Sequence, residues 1–176
     1  MIMTIEELKS YINTKESDTV LEAKLQALEL LVRKYTNNNF QQRSFRSVAD
    51  IVGNTIECKS LPRVKEGDTI QISDTLYNDG LYTIETIKAG VTITVKEDIV
   101  DETDVLLTKI DYPMDVKMGV VNMLKWDLEN RNKVGIQSEN ISRHSVTYFN
   151  MDGNNSSIGY PKSLTGFLEP YRKARF

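Results

Sequence analysis

The spacing of apolar residues changes twice along this chain, and the two changes constrain its fold more than any single motif. Up to about residue 39, apolar side chains recur at three- and four-residue steps, the period of a helix with one buried face. From about Gln42 they alternate with polar ones, the period of a half-buried strand. At Tyr112 the helical period returns. The expected fold class is therefore α+β: a small helical bundle of about four helices with an inserted antiparallel β-barrel-like or sandwich-like lobe. The expected boundaries are 1–42 for the first part of the helical core, 43–110 for the inserted β domain, and 111–176 for the second part of the core with an extended arm and a C-terminal helix.

The best helix is predicted over 112–131. Pro113 suits the first helical position, where a missing N–H costs nothing, and Asp115 follows in the first turn, where the helix dipole favours a carboxylate. Val116, Val120, Met123, Leu124 and Leu128 form one apolar stripe, and Gly119 beside it leaves room for another backbone. Nearer the N-terminus, Thr4 with Glu7 and Thr19 with Glu22 fit capping boxes. Ile5, Leu8 and Ile12 share a face, and Leu21, Leu25, Leu28, Val32 and Tyr35 make a seam too short to require a coiled coil. Asn37-Asn38-Asn39 ends that helix, since asparagine tolerates the left-handed conformation.

In the middle segment Ile56 and Cys58, Ile70 and Ile72, Tyr82 and Ile84, and Val91, Ile93 and Val95 alternate with polar neighbours. Glu66-Gly67-Asp68, Asn78-Asp79-Gly80 and Ala89-Gly90 mark turns. Five short strands with tight turns predict a small antiparallel barrel or half-open sandwich. Cys58, in phase with Ile56, reads as a small core residue. After residue 135 the stretch 136–149 is rich in Ser, Thr and β-branched residues and reads as an extended arm, and 152–157 reads as a flexible loop. Pro161 opens a last helix carrying Leu164, Phe167, Leu168 and Tyr171, which Pro170 kinks or stops near Leu168.

Charge and composition exclude several function classes. A formal charge of −3 and a pI near 5.3 argue against a chain built to grip phosphate backbones. The balance is uneven: 44–110 holds seven Lys/Arg against twelve Asp/Glu, while 160–176 holds four basic residues and one acidic. One cysteine rules out an intrachain disulfide, and one histidine argues against a His-based relay or metal site. No apolar run reaches membrane-spanning length and no leader pattern opens the chain, so a cytoplasmic site of synthesis is expected. The acidic run Glu97, Asp98, Asp101, Glu102 and Asp104 lacks the ligand spacing of a calcium loop and reads as a solvated strand connection. His144 beside Arg143 and Ser145 lies in an extended stretch, where neighbours point to opposite faces, so no nucleophile and base meet there. Matches to a glycosylation pattern at Asn140, Asn154 and Asn155 carry little weight in a chain that is not secreted. No catalytic residue, metal or cofactor is expected, and the chain reads as non-enzymatic.

Several motifs, in order, resemble head–tail connector (adaptor) proteins of long-tailed bacteriophages and prophages. They are Ile5-Glu6-Glu7-Leu8-Lys9; Val32-Arg33-Lys34-Tyr35-Thr36 with the three asparagines and Phe40; and Tyr112-Pro113-Met114-Asp115-Val116-Lys117. Ser138-Glu139 with Ile141-Ser142-Arg143-His144-Ser145-Val146-Thr147-Tyr148 follows, then Tyr160-Pro161 through Leu168 to Tyr171-Arg172-Lys173. The β segment from about 43 to 110 departs from simpler members, which pass almost directly from the second helix to the Pro-led one.

The resemblance implies a structural virion protein: a homo-oligomeric ring, typically a dodecamer, beneath the portal protein. In the neck between capsid and tail it would extend the DNA channel and seat the next tail-completion protein. Phage DNA would pass through without specific binding, which suits an acidic average charge. No membrane is involved. The expected portal or neighbour-subunit interface comprises Arg143, His144 and Tyr148 of the arm with Phe167, Leu168, Tyr171, Arg172, Lys173, Arg175 and Phe176 of the C-terminal segment. Aromatics and arginine are the side chains that most often dominate interface energies. Closing the bundle is the plainer role for those aromatics, and a solvated charge run the plainer one for Arg172, Lys173 and Arg175. The competing function is a nucleic-acid-binding module using the β domain, with Tyr77 and Tyr82 as stacking residues, although its acidity counts against it. A small hydrolase is the remote third reading, since no residue pair supports it.

Overall fold

A computed structural model describes residues 1–60, 63–88, 92–136, 138–141, 144–147, 151–152 and 154–174, with the backbone alone at 133, 138–141 and 144–146. The chain forms two compact units. Met1–Glu7 joins Asn39–Tyr112 in the first, and Leu8–Asn38 joins Pro113–Phe176 in the second.

The first unit is a closed barrel of six antiparallel strands: β1 (Gln41–Val52), β2 (Thr55–Cys58), β3 (Thr69–Ser73), β4 (Gly80–Lys88), β5 (Thr92–Val95) and β6 (Glu102–Ile110), in the order β1-β2-β5-β4-β3-β6. Closure leaves no sheet edge open to pairing. Isoleucines 51, 56, 70, 72, 84 and 93 fill the interior, the β-branched shape that suits a pleated wall. Six strands form rather than five, and Glu102 and Asp104, expected in a strand connection, lie in β6. β1 is hard to read as a strand because its inward residues are Ser47, Ala49 and Ile51, whereas Val48 and Val52 face out. Its turn into β2 uses Gly53 (φ +56°) and Asn54 (φ +65°), the pair of left-handed residues that a two-residue hairpin requires. A bulge opposite β1 places Asp104 at φ +57°, and the Asp50 carboxylate accepts its N–H at 2.8 Å.

The two ends of the barrel segment meet. Gln41 pairs with Ile110, the Asp111 N–H donates to the Phe40 carbonyl at 3.0 Å, and the Phe40 and Tyr112 rings lie 4.9 Å apart. Met1 is tied to the same unit, its carbonyl accepting from Thr69 Oγ1 at 2.5 Å. The expected Ala89-Gly90 turn and Val91 lie outside the described residues.

The second unit corrects the expected bundle of about four helices. Among the described residues only two helices are long, α2 (Asp18–Thr36) and α3 (Met114–Asn130), and they pack on each other. The first helix, α1 (Ile5–Tyr11), has seven residues and is divided between the units, while α4 (Lys162–Thr165) has four. After α4 the chain narrows into a 3-10 segment, Gly166–Tyr171, that crosses both α2 and α3. Pro170 sits within that segment, so the proline tightens the helix instead of ending it at Leu168.

The helix ends explain further shifts. α2 is capped by Ser17, whose Oγ accepts from the Val20 N–H, two residues ahead of the expected Thr19. Asn37 closes it at φ +48°, ψ +36°, with its N–H reaching the carbonyls of Arg33 and Lys34. Pro113 stands at the N-cap of α3, one residue before the helix begins. Within α3 the stripe of Val116, Val120, Met123 and Leu124 is buried, but Val121 joins it and Leu128 is only half-buried. The arm is a hairpin: β7 (Ser138–Ile141) pairs with β8 (His144–Thr147) in register Ser138↔Thr147 and Ile141↔His144. In the polar stretch before Tyr160, the Asp152 carboxylate accepts the N–H groups of Asn154 and Asn155 at 3.0 Å. The stretch leads into a two-residue-strand hairpin, β9 (Ser156–Ser157) with β10 (Tyr160–Pro161).

Candidate interface surfaces

The C-terminal segment is fastened to the second unit along its length. The Asn38 Nδ2 donates to the Tyr171 carbonyl at 3.2 Å, the Lys173 N–H to the Thr36 carbonyl at 2.8 Å, and the Asn37 Nδ2 to the Ala174 carbonyl at 2.8 Å. The asparagine run thus both ends α2 and holds the segment that follows the 3-10 turn.

Of the expected interface residues, Leu168 is completely buried and serves the core of this unit. Phe167 is half-buried over Gly119 of α3; the space beside the glycine is filled by that ring, where the sequence suggested a backbone. Tyr171 shares its hydroxyl proton between the two Asp115 oxygens at 2.7 and 2.8 Å, and this hydrogen bond raises the phenol above its ordinary range. Arg172 and Lys173 are exposed. Arg172 lies 5.3 Å over the Tyr35 ring and pairs with Glu169 at 3.0 Å. Glu169 also accepts the Tyr35 hydroxyl at 2.6 Å; that bond first, and the one from Arg172 second, hold its carboxyl below the usual range. Arg143, Tyr148, Arg175 and Phe176 lie outside the described residues, and of His144 only the backbone, in β8, is described.

A second feature of this unit was not anticipated. Between α2 and α3, Lys24 Nζ and Arg131 Nε converge on Asp127 at 2.6 and 2.5 Å. Burial pushes the Asp127 carboxyl up, but the two cations outweigh it and hold it below its ordinary value. Arg131 also lies 5.1 Å over the Trp126 ring and 4.7 Å over that of Tyr160, and donates to the Gly159 carbonyl at 3.0 Å. Beside them a cavity of about 460 Å³ is walled by Ala27, Leu28, Leu31 and Ile158. The i,i+4 spacing of Asp127 and Arg131 was readable in the sequence; the partnership with Lys24, 103 residues away, was not.

The barrel carries the third surface. The β1–β2, β3–β4 and β5–β6 connections all lie at one end, where Asp101 and Glu102 of the acidic run hold them, while Asp104 pairs with Lys59. The Asp101 carboxylate accepts the Gly53 N–H at 2.8 Å and the Asn54 Oδ1 accepts the Ile99 N–H at 3.1 Å. Glu102 accepts from the Leu76 N–H at 2.6 Å and from the Asn78 Nδ2 at 2.8 Å. Asn78, buried, also donates to the Val100 carbonyl and accepts the Val100 N–H, while its own carbonyl takes the Tyr82 hydroxyl. Tyr82 is thus partly buried and committed, whereas Leu76 and Tyr77 stand 84% and 73% exposed on a loop held through Leu76 and Asn78.

Burial pushes the Cys58 thiol up to about 11, away from a reactive thiolate. Among the described residues, no three His, Cys, Asp or Glu side chains group as a metal site, and no helix is long and apolar enough to cross a membrane. Neither models of known protein families nor curated protein sequences give a match to this chain.

Proposed function

We propose that this protein is a structural subunit of a phage neck, a head–tail connector that assembles as a ring beneath the portal and offers the platform for the tail. The observation that carries this reading is where the resemblance falls on the fold. Most of the connector-like stretches, from Leu8 to Asn38 and from Pro113 onward, lie in the second unit, which is built from both flanks of the barrel. The barrel occupies the one connection that simpler connectors keep short. Insertion there leaves a helical core intact when its two ends meet, as Phe40 and Asp111 do. Exposed Arg172 and Lys173 beside the buried Leu168 give the C-terminal segment a charged outer face on a fixed base, suited to a portal or neighbouring subunit. The protein acts by binding rather than by catalysis, its place is the virion neck, and DNA traverses the ring without being held.

The test is genetic and structural. Loss of the gene should leave DNA-filled heads that do not join tails, and the protein should be found in purified particles at the capsid vertex. Normal tailed particles made without it would sink the reading. A gene position between those for the portal and the tail proteins is the cheapest supporting observation.

A further inference from the structure

We infer that the Leu76–Tyr77 loop of one copy docks into the α2–α3 cavity of a second copy, giving a head-to-tail contact. Two large apolar side chains at this exposure are costly to leave in water, and single exposed apolar residues usually sit on mobile or incidental surface. This pair is different because its backbone is fixed from several sides. Thr75 N–H and Oγ1 both donate to Asp79, Leu76 N–H donates to Glu102, and Asn78 N–H donates to Thr75 Oγ1. A side chain held ready in this way loses little entropy on binding. Val52, the last residue of β1, and Val100 on the β5–β6 connection, 55% and 54% exposed, widen the apolar tip.

Charge selects the class of partner. The three connections at this end carry Asp74, Asp79, Glu97, Asp98 and Asp101 against Lys96 alone. Such a rim repels phosphate backbones and anionic headgroups, so the tip fits neither nucleic acid nor an acidic membrane surface. Its complement is an apolar recess edged with cations.

That complement is present on the same chain. The cavity walled by Ala27, Leu28, Leu31 and Ile158 is edged by Lys24 and Arg131, whose side chains are 34% and 42% exposed. The carboxylate between them, Asp127, is 11% exposed, so cations dominate the rim. A volume of about 460 Å³ accepts one aromatic or branched side chain with room for its neighbour. The α2 surface alongside continues apolar through Leu30 and Val20, both exposed. Two different patches that fit each other, on one chain, give a heterologous contact that repeats from copy to copy. The inference stands on exposure, charge and shape, and does not depend on the connector reading.

The test uses the full chain with Tyr77→Cys in one preparation and Ala27→Cys in another, mixed under mild oxidation. Native Cys58 is buried and does not compete. The expected product is a cross-linked dimer with one of each chain, at least about tenfold above either variant oxidised alone, and weakened by salt. Adding Leu76→Ser to the first variant should lower the yield by about tenfold, the loss expected when an anchor side chain is removed. A chain carrying both cysteine changes should give a ladder of oligomers. No mixed dimer, or a mixed yield equal to the self-linked yields, overturns this contact. Either result leaves the tail-joining test of the connector reading unaffected. Thermal melts of each variant, matching the parent protein, show that the readout is binding and not folding.

Discussion

At Asp127 the charges of two neighbours are set against the cost of burial. Burial alone would raise its carboxyl, yet Lys24 at 2.6 Å and Arg131 at 2.5 Å reverse the sign. A carboxyl held below its unfolded value contributes stability that is fully present above that value, near 3.9, and is lost as pH falls through the lower folded one. Replacing Asp127 by Asn leaves the two cations without their anion, and their partial exposure lets water compensate in part. Asp127→Asn should therefore cost about 1–2 kcal/mol near pH 7. The gap from wild type should hold down to about pH 5 and narrow steadily below about pH 4. Denaturant melts across that range check it; a gap independent of pH would mean that the carboxylate charge does not contribute. Tyr160 belongs to the same cluster, its phenol raised by its own burial first and by the Asp127 charge second.

Between elements, the contact most open to test is that of the 3-10 segment on α3. Gly119 lies in a helix, where alanine would ordinarily gain about 1 kcal/mol. A Cβ there would run into the Phe167 ring, and such overpacking costs about 1–3 kcal/mol. Gly119→Ala should consequently destabilise the wild-type chain and stabilise one already carrying Phe167→Ala, a change of sign that a double-mutant cycle reads directly. Stabilisation in both backgrounds would show that the ring moves aside freely. The sequence made Gly119 conspicuous but could not name its neighbour, because Phe167 arrives through a 3-10 turn whose spacing no helical stripe reveals. The same limit hid β1, where alternation is carried by Ser47 and Ala49 on the inside while valines face out. Strong periodicity was legible: the α2 seam from Leu21 to Val32 and the Asn37 terminator stand where the residues placed them, although Thr36 is buried in place of Tyr35. The expected bundle failed because a capping box and three apolar positions specify only seven residues of α1, and the chain passes from the four residues of α4 into a 3-10 segment.

Across the whole chain, the barrel is an insertion whose ends are already joined, and this carries a thermodynamic consequence. Leu8–Asn38 must find Pro113–Phe176 across the entire barrel segment. Lengthening a flexible connection costs only about 0.6 kcal/mol per doubling, and a folded insert whose ends pair costs less still. Gln41 opposite Ile110 is such a pair. The second unit should therefore hold without the barrel. A chain in which 41–110 is replaced by a short Gly/Ser linker should keep the helical signal of α2 and α3 and melt cooperatively. One complication is built into the fold: Met1–Glu7 belongs to the barrel unit, where Ile2 and Met3 are buried. Removing the barrel exposes them, so the shortened chain should be more soluble, and no less stable, when residues 1–7 are removed as well. The measurement is circular dichroism with thermal and urea melts on both shortened chains. A non-cooperative melt in both would mean that the barrel supplies part of the helical unit's core, and the chain would then fold as one cooperative body instead of a helical unit that carries an insert.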